Sequence, residues 1–412
     1  MNKLDGFKEG FGIELEKKDY MDSVMKDVAT KFRYSEIHVP TIEDAGSYSE
    51  ELVGNSPWPE WNPKGCFFFT IKNYHDSYKS GEEQEVVLIP EGTVSVTRWL
   101  ANRMDSHIES ELPIKLFYSL NCYRNELIST LNANKRREFK QFGLEILGSS
   151  SKQSDSEIMY LITHILVQLG VSLSQIRIRL NDIRIFTKLT HECNIAQSHS
   201  LALKELLDSI AEARAGKHPE TLENDVCAVY GIINQYNLDQ RQLLCWKALI
   251  EHNVYPIEWI IEVFGNDYRE IFELLLEYRY QFSRIGVRIE IDLCVIRSHE
   301  YYTGLSFEVD VITEKNKYIE IAGGGRYDRL VGKFLAKADE TTIPCTGFAF
   351  GTERVLSLMD DLNCFAQSMD FTRRYFFDMH AKRIVLSNPS IESYISAISE
   401  LHQFPVDIVF AE

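Results

Sequence analysis

The chain has 412 residues, 44 of them basic and 61 acidic, for a formal charge of −17. That length predicts two or three domains around a large buried core, and the 44% hydrophobic and 25% charged fractions exclude disorder and a small disulfide-stapled scaffold. The acidic balance disfavours broad, nonspecific adhesion to nucleic acid or an anionic membrane and leaves only a local basic cleft as a polyanion site.

The eight cysteines form no CxxC pair and no zinc-ribbon spacing, so reduced, cytoplasmic thiols are expected. The N-terminal segment MNKLDGFKEGFGIELEKKDY is charged throughout, and no uncharged apolar run of about 18 residues occurs. A cytoplasmic protein without a membrane partner is the expectation.

In chain order, Met21, Val24, Met25, Val28 and Phe32 have helical spacing over 16–34 and lead into RYSEIHVPTIE, a β-branched strand candidate ended by Pro40. Segments 66–71 and 85–89 read as strands and 93–108 as a helix after a Pro90-Glu91-Gly92 turn. Strands at 114–124 and 137–147, joined by the polar stretch ELISTLNANKR, predict a hairpin with a long loop. A helix over 154–170 and a strand at 175–181 precede 184–284, which is almost wholly helical. Strands return at 287–295 and 304–312, followed by the glycine cluster IAGGGRYDRLV and by CTGFAFGTERVLSLM, a strand turning into a helix. Near the end, RIVLSN, a helix over about 390–403 and VDIVFA form one βαβ fragment. Strands and helical blocks without regular βαβ alternation predict an α+β fold around an antiparallel sheet.

Several chemistries are absent from the sequence. There is no GxxxxGK[ST], HExxH or GxSxG, and His191, Cys193 and His199 read as ordinary helical residues rather than metal ligands. What stands out is a set of polar and charged residues inside strand-like segments: Arg124, Glu126, Arg137, Gln141, Glu145, Arg297, Glu308, Arg326 and Arg354. Buried charges require partners. Because side chains alternate along a strand, Arg137, Phe139, Gln141, Gly143 and Glu145 share one face of 137–147. That combination suits a ligand-binding face, the competing reading being a solvent-exposed face with ordinary salt bridges.

The ordered segments YSEIHVP (34–40), IPEGTVSVTRW (89–99), YRNE (123–126) with RREFKQFGLEILG (136–148), IRSHEYYTGLSFE (296–308), AGGGRYDRLV (322–331) and GFAFGTERVL (347–356) together resemble the histidyl-tRNA synthetase family. The likeness covers residues 1–356 and includes the three class II synthetase motifs and two histidine signatures. It implies a class II-like antiparallel sheet flanked by helices, with a catalytic core at 1–183, a helical insertion at 184–284, the rest of the core at 285–368 and a truncated α/β segment at 369–412.

By that resemblance, Arg124, Arg297 and Arg354 are the catalytic arginines. Arg124 would hold the ATP α-phosphate and the substrate carboxylate, Arg297 the α-phosphate, and Arg354 the γ-phosphate. Phe139 would stack on adenine and Glu126 face its amino group, while Lys135 and Arg137 would add phosphate contacts. Glu91, Thr93, Gln141, Glu145, Arg297, Tyr302 and Tyr327 would form the amino-acid pocket, with Glu91 and Gln141 at the α-ammonium and Glu145 and Tyr302 at the imidazole. Fixed guanidinium forks suit attack of a carboxylate on a phosphorus between two anions. The cofactors implied are ATP and Mg2+ arriving with it, with no metal held by protein residues alone, and the substrate is histidine or a close analogue. The helix and strand of 16–40 resemble motif 1, which implies a homodimer.

The sequence also departs from the family pattern. Ser298, His299 and Glu300 replace Gly-Leu-Asp, Ile89 stands where an arginine precedes Pro90, and the motif 2 loop reads LISTLNANK. Residues 355–412 are also fewer than a complete anticodon-binding domain requires. These departures lead to an expectation of aminoacyl-adenylate formation with transfer to a non-tRNA acceptor, a small nucleophile or carrier, and disfavour tRNA as partner. The alternatives are a histidyl-tRNA synthetase charging tRNA(His) and a noncatalytic histidine sensor similar to the regulatory subunit of ATP phosphoribosyltransferase.

Overall fold

A computed structural model describes residues 4–53, 65–75, 81–104, 111–131, 135–296, 301–313, 318–335 and 342–365, with backbone alone at 50–51, 382–386 and 406–410. Helix α1 (Ile13–Lys31) is followed by β1 (Ser35–Glu36), β2 (Ile42–Asp44), α2 (Glu50–Val53), β3 (Phe67–Tyr74), β4 (Gly81–Leu88) and α3 (Thr93–Ala101). The hairpin β5 (Ile114–Tyr123) and β6 (Glu138–Leu147) leads to α4 (Lys152–Gln168) and β7 (Ile176–Asp182). Six helices come next: α5 (Ile183–Glu192), α6 (Gln197–Arg214), α7 (Leu222–Ile233), α8 (Gln240–Ile250), α9 (Ile257–Phe264) and α10 (Asn266–Arg284). Strands β8 (Arg288–Ile291), β9 (Leu305–Ile312) and β10 (Tyr318–Arg326) precede α11 (Leu330–Phe334), β11 (Cys345–Gly351), α12 (Thr352–Asp361), β12 (Lys382–Leu386) and β13 (Val406–Phe410).

The chain divides into two compact units, Met1–Ser172 with Asp328–Glu412, and Leu173–Tyr327. The cuts fall at 172/173 and 327/328 rather than at the ends of the helical stretch. The reason lies in strand pairing: β7 pairs parallel with β8 and antiparallel with β9, and β9 pairs with β10, so these strands cohere with the helices between them.

In the first unit the strand order is β1-β5-β6-β11, with β1 parallel to β5 and the other pairs antiparallel. Phe142, Leu144 and Ile146 alternate on one face of β6 and are almost completely buried. Helix α4 contributes Ile158, Leu161, Ile162, Ile165 and Leu166, all buried, and each such side chain is worth about 1.5–3 kcal/mol of transfer free energy. Ser151 caps its first turn by accepting from the Gln153 N–H. A second, three-stranded sheet has the order β2-β4-β3.

In the second unit the order is β10-β9-β7-β8. The fold is therefore mixed α+β, with four strands of mostly antiparallel sheet in each unit and helices flanking them, as the sequence pattern predicts.

The single strand expected through RYSEIHVPTIE is instead two short ones, because Pro40 supplies no N–H and separates β1 from β2. Gly323, Gly324 and Gly325 lie within β10, opposite Glu308, Phe307 and Ser306 of β9. Strand β8 is shorter than the predicted 287–295, since the chain leaves the ladder after Ile291. Near the C-terminus β12 and β13 pair in parallel, while the helix expected at about 390–403 lies outside the described residues. Among the described residues, no helix is long and apolar enough to cross a membrane. None of the eight cysteines is disulfide-bonded.

Candidate active site

The site begins at the N-terminus of α3. A helix start leaves N–H groups without intrahelical partners and favours negative charge. Here the buried Glu91 carboxylate fills that role, accepting from the Thr93 N–H at 2.9 Å and the Val94 N–H at 2.8 Å. Tyr48 Oη donates to the Glu91 carbonyl at 2.8 Å and lies 3.0 Å from Ser95 Oγ, fixing the same turn from the opposite side. Burial raises the Glu91 pKa above the ordinary carboxylate value, against the pull of those two N–H groups and the Arg124 charge.

The second component is the face of β6 that carries Phe139, Gln141, Gly143 and Glu145. Register with β5 sets Cys122, Leu120, Tyr118 and Leu116 opposite them in that order, and register with β11 sets Gly351, Ala349 and Gly347 opposite Gln141, Gly143 and Glu145. This face is not solvent-exposed: Gln141 is 9% and Glu145 0% accessible. Gln141 Oε1 accepts from the Gly92 N–H at 2.9 Å, tying β6 to the start of α3. Thr93 Oγ1 donates to Glu145 Oε1 at 2.8 Å, and Tyr118 Oη stands 3.4 Å from the same oxygen. Thus two residues of the Glu91-Gly92-Thr93 turn and two of the β6 face form one buried polar constellation.

Two glycines, Gly143 on β6 and Gly347 on β11, are required by volume. A Cβ at Gly347 would lie 1.6 Å from Glu145 Oε2, so the carboxylate occupies the space that any side chain there would need. A Cβ at Gly143 would lie 2.3 Å from Tyr118 Cζ, so the tyrosine ring lies directly over that backbone. Tyr118 is the main residue missed in the sequence. Alternating with Leu116, Leu120 and Cys122, it carries the same signal as a core aromatic, and only the cross-strand glycine shows its placement against Glu145.

A basic rim adjoins this pocket. Arg124, just past β5, donates from Nε to the Pro90 carbonyl at 3.1 Å, and its guanidinium carbon lies 5.0 Å from the Phe139 ring centroid. Phe139 therefore already has a cation over its ring. Lys135 Nζ pairs with Glu126 at 3.0 Å, and Arg137 Nε donates to the Glu126 carbonyl at 3.1 Å. Arg354 lies in the first turn of α12, which is fixed to β6 because Thr352 Oγ1 donates to the Lys140 carbonyl and Glu353 accepts the Lys140 N–H. The turn starts at Gly351, the register partner of Gln141, and an ideal Cβ on that glycine would be 4.0 Å from Arg354 Cδ. Ten of the thirteen residues proposed from the sequence are thereby placed around one end of β5, β6, β11 and α3.

The remaining three belong to the other unit. Arg297 lies outside the described residues. The rings of Tyr302 and Tyr327 lie 5.0 and 5.9 Å from that of buried Tyr301. Gly325 permits this packing, since a Cβ there would be 2.3 Å from the Leu305 carbonyl oxygen and 2.9 Å from the Tyr302 ring. Glu308 belongs to an ion network instead of a ligand face: Arg179 contacts it at 2.6 Å and Asp310 at 2.7 Å, and Arg177 reaches Asp310 at 2.8 Å. His191 is exposed, and His199 Nδ1 lies 2.7 Å from Tyr236 Oη. A grouping the sequence does not reveal is His252, Asp292 and Cys294, whose donor atoms lie within 4.8 Å of one another.

A mostly antiparallel sheet flanked by helices, with arginines around a buried carboxylate-lined face, defines a class II synthetase-like core. Among solved structures, the fold is similar to a chain from Bacillus halodurans C described as an ATP phosphoribosyltransferase regulatory subunit/histidyl-tRNA synthetase, with a TM-score of 0.64 at 17% identity over 99% of this chain and 92% of that one. It is also similar to a histidine--tRNA ligase subunit from Alicyclobacillus acidocaldarius, with a TM-score of 0.62 at 20% identity over 87% and 97% of the two chains. The histidyl-tRNA synthetase family model matches residues 77–355. The histidine--tRNA ligase of Saccharolobus solfataricus is 31% identical over 359 residues, which span 87% of this chain and 75% of that protein. The chain belongs to the histidyl-tRNA synthetase family.

Proposed function

We propose that this chain activates histidine with ATP. In that reaction an oxygen of the histidine carboxylate bonds to the α-phosphorus, the bond from that phosphorus to the bridging oxygen breaks, and pyrophosphate leaves with its electron pair. The observation that carries this reading is the constellation Glu91, Thr93, Gln141 and Glu145, buried, joined by hydrogen bonds and adjacent to Arg124. Carboxylates and hydroxyls suit an imidazole, which carries one N–H when neutral and two when charged. Arg124 and Arg354, with Lys135 and Arg137, supply the positive charge that offsets repulsion between a carboxylate and a polyphosphate.

The half-buried cations at one rim fit a triphosphate, and Mg2+ would enter with ATP, neutralising phosphate charge when bound. Glu126, already paired with Lys135, is the acidic group at that rim. Arg297, Tyr302 and Tyr327 complete the proposed set, with Arg297 on the α-phosphate and Tyr302 beside the imidazole.

The expected non-tRNA acceptor finds no support. The relatives are named histidine--tRNA ligases, which makes tRNA(His) the acceptor this reading adopts. A second reading, histidine sensing without catalysis, is favoured by the regulatory-subunit description of the Bacillus halodurans chain. Retention of Arg124 and Arg354 favours activation, because histidine binding alone needs no phosphate clamp. Histidine-dependent exchange of labelled pyrophosphate into ATP tests the proposal. Exchange is expected, and its absence with histidine and with imidazole analogues would leave the sensor reading in its place.

A homodimer is part of the same proposal. It is supported by β1, which stands at the edge of its strand order with both residues exposed, and by the exposed Ile42, Phe68 and Phe69. Light scattering is expected to give twice the chain mass of 47.7 kDa, and a 47.7 kDa species alone at micromolar concentration would contradict it.

A further inference from the structure

Gln141 is only 9% accessible, and the two ends of its carboxamide have different surroundings. Oε1 accepts the Gly92 N–H at 2.9 Å and the Cys122 S–H at 3.5 Å. A backbone N–H can only donate, so this corner holds the carbonyl oxygen and not the amide nitrogen. An amide oxygen has two lone pairs, and both are engaged. Among the described residues, Nε2 has no hydrogen-bond partner. The carboxamide therefore turns two donors, and no free acceptor, away from its anchors.

Cys122 is suited to hold it there. It is fully buried on β5, and the strand register sets it opposite Phe139 and Leu120 opposite Gln141, so thiol and carboxamide are diagonal neighbours on one face. Burial pushes the thiol above its ordinary pKa, against the pull of the Arg124 charge, so the sulfur keeps its proton and donates. The turn that supplies the Gly92 N–H also anchors Arg124, whose Nε donates to the Pro90 carbonyl at 3.1 Å. Between those two residues stands Glu91, its carboxylate facing the Thr93 and Val94 N–H groups. One three-residue turn thus carries a carboxylate and tethers both a guanidinium and an amide donor. The two charges on an amino acid's α-carbon require opposite partners: Glu91 suits the ammonium, and N–H donors on Arg124 and Gln141 suit the carboxylate.

We propose that Cys122 is a positioning residue that, with the Gly92 N–H, locks the Gln141 carboxamide so that its Nε2 donors read the substrate carboxylate. The inference rests on the histidine reading above, and it sets Gln141 at the carboxylate and not at the ammonium, where the resemblance puts it. Cys122 acts through Gln141 and not on the substrate.

Calorimetric titration of the full-length chain with histidine and with histidinol tests this. Histidinol keeps the imidazole and the ammonium and carries a hydroxymethyl group in place of the carboxylate. Gln141→Glu keeps an acceptor for the Gly92 N–H but sets carboxylate against carboxylate, so the Kd for histidine is expected to rise about tenfold or more and that for histidinol to stay within about threefold. Cys122→Ala is expected to weaken histidine about threefold to tenfold, the scale of one neutral hydrogen bond, with histidinol within about twofold. Cys122→Ser, whose hydroxyl still donates, should recover most of that loss. Equal weakening of both ligands by Gln141→Glu, or histidine binding unchanged or tightened, would overturn the carboxylate assignment. Equal losses in Cys122→Ala and Cys122→Ser, or no loss in Cys122→Ala, would overturn the positioning role and leave the histidine reading intact. Absence of histidine binding by the unmodified chain would remove both. If Gln141→Glu fails to fold by circular dichroism, Gln141→Met, similar in length and without a donor, replaces it with the same expected split between the two ligands.

Discussion

Among the described residues, two of the places where charge is buried differ in their partners. In Leu173–Tyr327, Glu308 and Asp310 are met by Arg177 and Arg179 at 2.6–2.8 Å, an arrangement of opposite charges that fills its own valences. On the β6 face of the other unit, Glu91 and Glu145 accept from backbone N–H groups and a threonine hydroxyl, and Glu145 and Tyr118 occupy the space left by Gly347 and Gly143. A carboxylate closed by guanidinium groups maintains the fold. One held by dipoles keeps no permanent countercharge, which is the arrangement the proposed histidine pocket requires. Burial of charge alone does not distinguish structure from site, whereas the nature of the partner does.

The largest expected effect breaks the structural side. Arg179→Ala leaves Glu308 and Asp310 buried without one guanidinium, and loss of one member of a buried ion network costs about 3–5 kcal/mol. Urea denaturation followed by circular dichroism should show it, and a loss below about 1 kcal/mol would mean that the network is solvated.

On the site side, Arg124→Ala should reduce pyrophosphate exchange by about a hundredfold, the scale for removing one preorganised charge stabiliser, with a much smaller change in unfolding free energy than Arg179→Ala. Equal stability losses for the two variants would erase the contrast between the regions. Glu145→Gln sharpens it further. Because Glu145 accepts from Thr93 Oγ1 and Gln can still accept, the fold should persist, while the KM for histidine rises about tenfold and that for ATP stays within about twofold. Parallel losses for both substrates would assign Glu145 a purely structural part.

A separate effect concerns pH. Burial alone would lower the His252 pKa, but the Asp292 charge and hydrogen bond raise it from 6.5 to about 10, so the stability it contributes is complete below about 6.5 and is lost as pH rises through 10. Although burial opposes charge on Asp292, the His252 charge and hydrogen bond lower its pKa below the ordinary value of 3.8. Its contribution is therefore present above that value and lost only as pH falls through the depressed one. Unfolding free energy should fall further between pH 7 and pH 9.5 for the unmodified chain than for Asp292→Asn, by about 2–3 kcal/mol. Equal slopes would show that the pair does not titrate in this window.

Much of this was legible in the chain itself. Alternation placed Gln141 and Glu145 on one face of a strand, helical spacing located α1 and α4, and the ordered motifs pointed to the family and to ten residues that the fold gathers around one strand end. These properties are local, or are carried in order along the chain, so they survive in one dimension. Tertiary structure alone decided that Thr93 reaches Glu145, that Gly347 lies opposite it, that Tyr118 rests on Gly143, and that Glu308 is consumed by Arg179. It also joined His252 to Asp292, which no spacing pattern connects. The partner of a buried polar group is chosen by strand register and helix packing across long separations, and those are set by the burial of whole faces, not by the residues beside it in sequence.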